Sequence, residues 1–413
     1  MYCPLRSTAA AAAEENKMAR MSRAESNSNL CHIPEEILIQ ILVRLSVKSL
    51  LRFRSVCKSW YSLIIDPAFI QAHLKTSSQS THIILSYKSE LTRIDRYSIR
   101  YDDESFHQYF EPQLPSHILK QSLTMYGSCN GLVCLSNEET IRLWNPALRK
   151  LKTLPNSLII DPNLDYLRTY LAHLAFGFLP GVNDYKVVRI LCLRDDIYKP
   201  LPYKSQFLTE VYSLSTDSWK RIDVAPAYDF IGNRPAIVNG AAYWVAVKRT
   251  DEGNCCLLVR FDLGDEVFDE VMLPDGARHY SPYGPDLWDE VLPGARHFYP
   301  VLGESLCFFR YYRFALNERC DIWTKECGKL GSWTKQFTVN FHDTPYNLFG
   351  LRKSGELLQI NRKKDLVSYN FETQRAKDLG IHSFLWNLSA YFYVESLIQL
   401  DGAECLFPLD SEL

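Results

Sequence analysis

Apolar and polar positions follow two different periods along this chain, and the change falls near residue 75. From Ile33 to Leu74 the apolar residues recur at helical spacing. Pro34 suits the first turn of a helix, where its missing N–H would have no partner. Glu35 and Glu36 follow, where the helix dipole favours negative charge. Ile37, Leu38, Ile39, Ile41, Leu42, Val43 and Leu45 cover well over half the helix circumference and leave Gln40 and Arg44 on the polar side. A surface helix needs an apolar stripe only about 100° wide to sit on its own core. Ser46 and Val47 make a break, and Leu50, Leu51 and Phe53 form a second short helix. Val56, Cys57, Trp60, Leu63 and Ile64 then recur until Asp66-Pro67, which reads as a stop. Three short helices thus carry more apolar surface than they can bury among themselves, and a segment below about 60 residues is marginal alone. The pattern predicts a partner.

Beyond a polar linker, residues 75–80, the period shortens to that of strands separated by turn residues. Thr81 to Tyr87 and Leu91 to Ser98 predict a hairpin. Five later stretches share one form: an apolar strand ending in an aromatic, a polar turn, and a return strand. Their anchors are Trp144, Tyr212, Phe261, Trp323 and Tyr369. Most are preceded by another apolar strand: GLVCL from 131, AAYWVAV from 241, SLCFFRY from 305 and LLQI from 357. A local duplication, DEVMLPDGARHY (269–280) and DEVLPGARHF (289–298), lengthens one interval. Without it, the spacing approaches the roughly 45–50 residues of a four-stranded propeller blade. The reading is a small α-helical module followed by a large all-β, propeller-like domain; an irregular β-sandwich or barrel is the alternative. The duplicated piece, Asp275 to Pro300, is expected to protrude as a loop, because it is rich in Gly, Pro, His and Tyr.

Composition changes this picture little. At 46% hydrophobic and 23% charged residues, the 413-residue chain can build a sizeable core. A net charge of −2 gives no field that would favour nucleic acid or a membrane surface. No apolar run approaches the roughly 18 residues of a membrane span. Twelve cysteines are scattered without a C-x-x-C pair or a secretory signal ahead of them, which places the expected setting in cytoplasm or nucleus. Residues 1–29 read as a disordered tail, and Glu14, Glu15 and Glu25 argue against a transit peptide. Met18 and Met21 are alternative starts to Met1. The expected boundaries are a helical module at 30–74, the linker, a β-domain at 81–402 and a C-terminal tail at 403–413.

The helical segment closely resembles an F-box. The resemblance rests on Ile33-Pro34, the ladder Ile37, Leu38, Ile41 and Leu42 with Leu45, then Lys48-Ser49-Leu50, Arg52-Phe53-Arg54, Val56-Cys57-Lys58 and Trp60. Ile33 stands where leucine is usual, and Ser46 stands where proline is usual, a change expected to loosen the joint between the first two helices. In the β-rich part, SCNGLVCL, LWNPALRKLKTLP, DYKVVRI, VYSLSTDSWKRI, NGAAYWV, FDLGDEVFDEVMLP, GSWTKQFTV and YVESLIQL resemble, in order, the F-box-associated domain of the plant F-box/kelch-repeat family. The resemblance implies a substrate-recognition subunit of an SCF-type ubiquitin ligase. Its F-box would dock on a Skp-type adaptor, and through it on cullin and RING subunits, while the β-domain holds a target protein. The implied adaptor contacts are Ile33, Pro34, Ile37, Leu38, Ile41, Leu42, Leu45, Leu50, Val56, Cys57 and Trp60. For the target, Tyr280, Tyr283, Trp288, Phe298 and Tyr299 are candidates, as aromatics are enriched in interface anchors.

Catalytic signatures are absent from the sequence: no Walker-type phosphate loop, H-E-x-x-H, G-x-S-x-G or EF-hand loop occurs. Cys320 and Cys327 lack two further zinc ligands at suitable spacing, and His279 and His297 of the duplicated piece share no recurring acidic or thiol partner. No metal, cofactor or catalytic residue is expected. The run Asp102-Asp103-Glu104 reads as a solvated turn. Two alternative functions remain: an enzyme or small-molecule receptor on the β-domain, and a self-incompatibility factor of the same architecture.

Overall fold

Asp66-Pro67 ends one helix, as the sequence pattern predicts, and also starts another. In the computed structural model, which describes residues 34–78, 82–137, 140–159, 169–194, 206–223, 228–250, 253–274, 295–298, 301–302, 305–312, 319–326, 332–340, 345–383 and 388–406, the first unit holds four helices. These are α1 (Glu35–Leu42), α2 (Val47–Phe53), α3 (Lys58–Ile65) and α4 (Pro67–Ser77). The Asp66 carboxylate accepts from the N–H groups of Ala68 (2.8 Å) and Phe69 (3.3 Å), and Pro67 fills the first turn, where no N–H is needed. A cap followed by proline is a start signal as well as a stop signal. The chain divides into two compact units between His73 and Leu74, and α4 continues to Ser77, into the expected linker.

The second unit is a six-bladed β-propeller. Blade 1 begins with β1 (His82–Lys88), β2 (Asp95–Tyr101) and β3 (Gln108–Phe110), followed by the short α5 (Ser116–Leu119). Blade 2 takes β4 (Thr124–Cys129), β5 (Leu132–Ser136), β6 (Ile141–Asn145) and β7 (Lys150–Thr153). Blade 3 takes β8 (Thr169–Leu179), β9 (Asp184–Arg194), β10 (Gln206–Ser213) and β11 (Ser218–Ile222). Blade 4 takes β12 (Asp229–Val238), β13 (Ala241–Thr250), β14 (Gly253–Asp262) and β15 (Phe268–Met272). Blade 5 takes β16 (Ala295–Phe298), β17 (Val301–Leu302), β18 (Ser305–Tyr312), β19 (Arg319–Glu326) and β20 (Thr334–Asn340). Blade 6 takes β21 (Pro345–Leu351), β22 (Leu357–Asn361), β23 (Asp365–Asn370) and β24 (Arg375–His382). The chain then returns: β25 (Ser389–Tyr393) supplies the inner strand of blade 1, and β26 (Glu404–Cys405) pairs with β7. The inner strands β25, β4, β8, β12, β17 and β21 lie against one another in turn, and the last meets the first.

The core follows from the two-residue period of a strand, which sends neighbouring side chains to opposite faces. Ile84 packs with Val133, Leu135 and Trp144 of blade 2, whereas Ile83 and Leu85 pack with Leu358 and Ile360 of blade 6. Leu257 likewise faces blade 3, and Leu258 faces blade 5. Both faces of a middle strand are therefore covered, which is why these strands read as unbroken apolar runs. Trp144, Tyr212, Phe261 and Tyr369 are buried near the ends of the third strands, and Trp323 is half-buried.

Three sequence expectations change. The acidic run is a turn in which Asp103 and Glu104 are exposed, but the Asp102 carboxylate is buried, accepting from Arg352 Nε (3.0 Å) and the Lys353 N–H (3.0 Å). Arg352 also donates to the Asp103 carbonyl (2.6 Å) and Ser368 Oγ (3.0 Å), and its guanidinium lies 5.1 Å from the Phe106 ring centre. This pair ties the β2–β3 turn of blade 1 to blade 6. The expected loop from Asp275 to Pro300 is a strand at 295–298, with Phe298 opposite Phe309, because the second copy of the duplication continues the blade 5 sheet. The first copy contributes Asp269 to Met272 to β15, and 275–294 lie outside the described residues. Finally, the expected C-terminal tail opens with β26, whose Glu404 and Cys405 face Leu151 and Lys150.

Candidate functional site: apolar side chains exposed on the helical unit

The helical unit has a small core of its own. Leu42, Val47, Leu50, Ile64, Phe69 and Ile70 are buried, and Phe53 meets Trp60 edge-on at 5.3 Å. Ser46, which stands where proline is usual, gains a role as a cap between α1 and α2. Its Oγ accepts from the Ser49 N–H (3.3 Å) and so caps α2. His73 adds a second tie, with Nε2 donating to the Leu45 carbonyl at 3.0 Å. Burial holds the His73 imidazole below its usual pKa, against the opposing effect of that bond.

What the core leaves outside is the candidate site. Ile37 and Ile41, one turn apart on α1, are 45% and 48% exposed. Tyr61 and Ile65, one turn apart on α3, are 50% and 37% exposed, and Val56 is 61% exposed. Residues four apart share a helix face, so each pair forms a short apolar stripe turned to solvent. The predicted contact set therefore divides. Pro34, Ile37, Ile41, Val56 and Cys57 are exposed; Leu38, Leu45 and Trp60 are half-buried; Leu42 and Leu50 belong to the unit's own core; Ile33 lies outside the described residues. Tyr61 and Ile65 were missed by the sequence reading, although their four-residue spacing signals a face. The exposed Cys57 thiol sits at the N-cap of α3, 3.1 Å from Ser59 Oγ. That side-chain bond first, then the Trp60 N–H, pulls its pKa below the usual thiol value.

On the propeller, Tyr280, Tyr283, Trp288 and Tyr299 lie outside the described residues, and Phe298 is in β16. Because strands alternate in direction, every connector from an outer strand to the next inner strand leaves from the end of the ring remote from His82. Met272 and Ala295, the ends of β15 and β16, are at that remote end, as are the highly exposed Leu91 of the β1–β2 turn and Leu158 after β7. Cys320 is buried, and burial raises its thiol pKa; Cys134 is pushed up to about 12 by the same cause. Cys327, His279 and the side chain of His297 lie outside the described residues. Among the described residues, no group of three or more His, Cys, Asp or Glu could hold a metal ion, and no helix is long and apolar enough to cross a membrane.

Comparison with known proteins agrees with this division of the chain. Residues 30–73 match the F-box-like family, and residues 82–400 match the F-box associated beta propeller domain. The F-box protein CPR1 of Arabidopsis thaliana is 29% identical over 389 residues, which cover 89% of this chain and 88% of that protein. An F-box/kelch-repeat protein of the same plant is 26% identical over 323 residues, covering 75% of this chain and 79% of that protein.

Proposed function

The chain belongs to the F-box proteins that carry an F-box associated beta propeller domain, and from that footing we propose that it is the substrate-recognition subunit of an SCF-type ubiquitin ligase. The observation that carries this reading is the exposure of Ile37, Ile41, Val56, Tyr61 and Ile65 on a unit too small to spend apolar side chains on solvent. The F-box docks on a Skp-type adaptor through these residues together with Ile33 and Pro34, and the adaptor links it to cullin and RING subunits. Leu42 and Leu50 serve the docking indirectly, by keeping the helices in place.

In this proposal the propeller holds a target protein, with Tyr280, Tyr283, Trp288, Phe298 and Tyr299 as the candidate anchors. Holding the acceptor lysine near the charged transfer enzyme raises its effective concentration, so the chain supplies proximity and no catalytic group. Cytoplasm and nucleus are where such a subunit works. The test is the double variant Ile33→Ala, Pro34→Ala, assayed for capture of purified Skp-type adaptor. Capture should be lost while the propeller melts as in the parent. Parent-level capture by the double variant would show that docking does not use this surface.

A further inference from the structure

The C-terminal segment does more than complete blade 1. Past β25, residues 394–403 cross the end of blade 2, and β26 then joins that blade's outer edge. The crossing is packed, not draped: Ser396 and Leu397 are fully buried, and Leu400 is 5% exposed. Asn145, at the end of β6 and itself inaccessible, donates from Nδ2 to the carbonyls of Ser396 (3.1 Å) and Ile398 (2.9 Å). Its Oδ1 accepts from the Leu148 N–H at 3.1 Å, so both ends of the amide are used. Gly131, in the β4–β5 turn, has φ +82°, and a Cβ there would fall 2.3 Å from Ser396 Cβ and 2.6 Å from the Val394 carbonyl oxygen. That turn is therefore shaped to let the crossing segment pass.

Lys152 links the segment to a third blade, and Leu406 adds a bond to blade 2. Lys152 of β7 donates to the Asp401 carbonyl (2.7 Å) and to the carboxylate of Asp217 (2.9 Å), which lies in the β10–β11 turn of blade 3. The Leu406 N–H donates to the Arg149 carbonyl at 3.0 Å. The inner closing strand reaches less far. β25 pairs with β1, over Ser389 to Tyr393, and meets blade 2 through packing and a hydrogen bond from Tyr391 to the Met125 carbonyl at 3.3 Å.

We infer that residues 395–406 form a second lock, separate from the inner closing strand, which must be seated for blades 1, 2 and 3 to hold together. A chain that retains β25 but ends at Val394 has its ring nominally closed and its second lock removed. It leaves the Asn145 amide without acceptors and uncovers the apolar sites under Leu397 and Leu400.

The experiment compares the full chain with three variants: a chain ended after Val394, Gly131→Ala, and Asn145→Asp. The last keeps the side-chain volume while turning an acceptor toward two carbonyls. Thermal melting and native-state hydrogen exchange are the readouts, with β21–β24 as the internal reference. The expected result is a melting temperature lower by about 5 °C or more in the shortened chain. Faster exchange should appear in β4–β7 before β21–β24 in both point variants. Should the shortened chain fail to fold at all, the lock is confirmed as essential, and the point variants still report its site. A shortened chain that melts within about 1 °C of the parent, or point variants with unchanged protection in β4–β7, would overturn the inference.

Discussion

The two units of this chain spend their apolar residues in opposite ways. In the propeller, consecutive side chains of one strand serve two neighbouring blades, as Ile83 and Ile84 do, so the middle of each blade is covered on both faces. In the helical unit, Ile37 and Ile41 face solvent from the same helix whose Leu42 is buried. A ring of sheets has two neighbours for every sheet and can satisfy its own hydrophobic demand; four short helices have too few. The first arrangement makes a self-sufficient scaffold, the second an incomplete one. Completing it from outside is a physical rationale for an F-box as a docking piece.

Breaking the propeller's self-sufficiency should have the largest effect. Arg352→Ala leaves the buried Asp102 carboxylate without its ionic partner and weakens the tie between blade 6 and the blade 1 turn. A loss of about 3–5 kcal/mol is expected in urea unfolding of the β-rich unit. A loss below about 1 kcal/mol would mean that the pair is poorly shielded from water. Adaptor capture should not change.

The reverse perturbation targets the helical unit. Ile37→Asp with Ile41→Asp should lower adaptor affinity by at least about 30-fold, the scale of one interface hot spot, measured by calorimetry with purified adaptor. Helical ellipticity should stay at the parent level, because neither residue belongs to the core. If affinity holds, the exposed face of α1 is not the docking surface.

Acidification sharpens the contrast at a single residue. Burial depresses the His73 pKa, so the unfolded chain takes up a proton more readily than the folded one. The contribution of His73 is fully present above the unfolded value near 6.5 and is lost as pH falls below it toward the folded value. Thermal melts of the helical signal should therefore drop between pH 7 and pH 5, and His73→Phe should flatten that dependence. An equal pH slope in the variant would assign the effect to other groups. The smallest effect is expected at Ser46→Ala, which removes the α2 cap at a cost of about 1 kcal/mol. No change in the same melts would show that water replaces the cap.

Much of this architecture was legible because its signals are local. The helical ladder from Ile37 to Leu45, and the aromatic-turn-strand pattern at Trp144, Tyr212, Phe261 and Tyr369, each sit within one stretch of chain and correspond to α1 and to the outer hairpins of the blades. The misread features depend on partners far away in sequence. Nothing near Asp102 announces Arg352, so Asp102 looks as solvated as its exposed neighbours Asp103 and Glu104. Glu404 and Cys405 have no strand pattern of their own, and their pairing is imposed by the edge of β7. The duplicated stretch feeds two blades, Asp269 to Met272 the end of one and Ala295 to Phe298 the start of the next; periodicity alone carries no such information. At Asp66-Pro67 the stop of α3 was legible, but the start of α4 was not, because its apolar positions, Phe69 and Ile70, follow the proline. On α1, the apolar ladder identified the helix but could not divide the exposed Ile37 and Ile41 from the buried Leu42. That division depends on where α2, α3 and α4 pack.

The return of β25 to β1 also sets a timetable for synthesis. His82 pairs with Tyr101 on one side and Tyr393 on the other. On a ribosome adding roughly 5–20 residues per second, the second partner emerges about 15–60 s after the first. Throughout that interval blade 1 presents an open inner edge, a template on which a foreign strand could pair. The helical unit, encoded first, is out of the exit tunnel long before then. The helical unit of a nascent chain can therefore be folded while its propeller is still unfinished, and the emergence of β25 brings the two units into step.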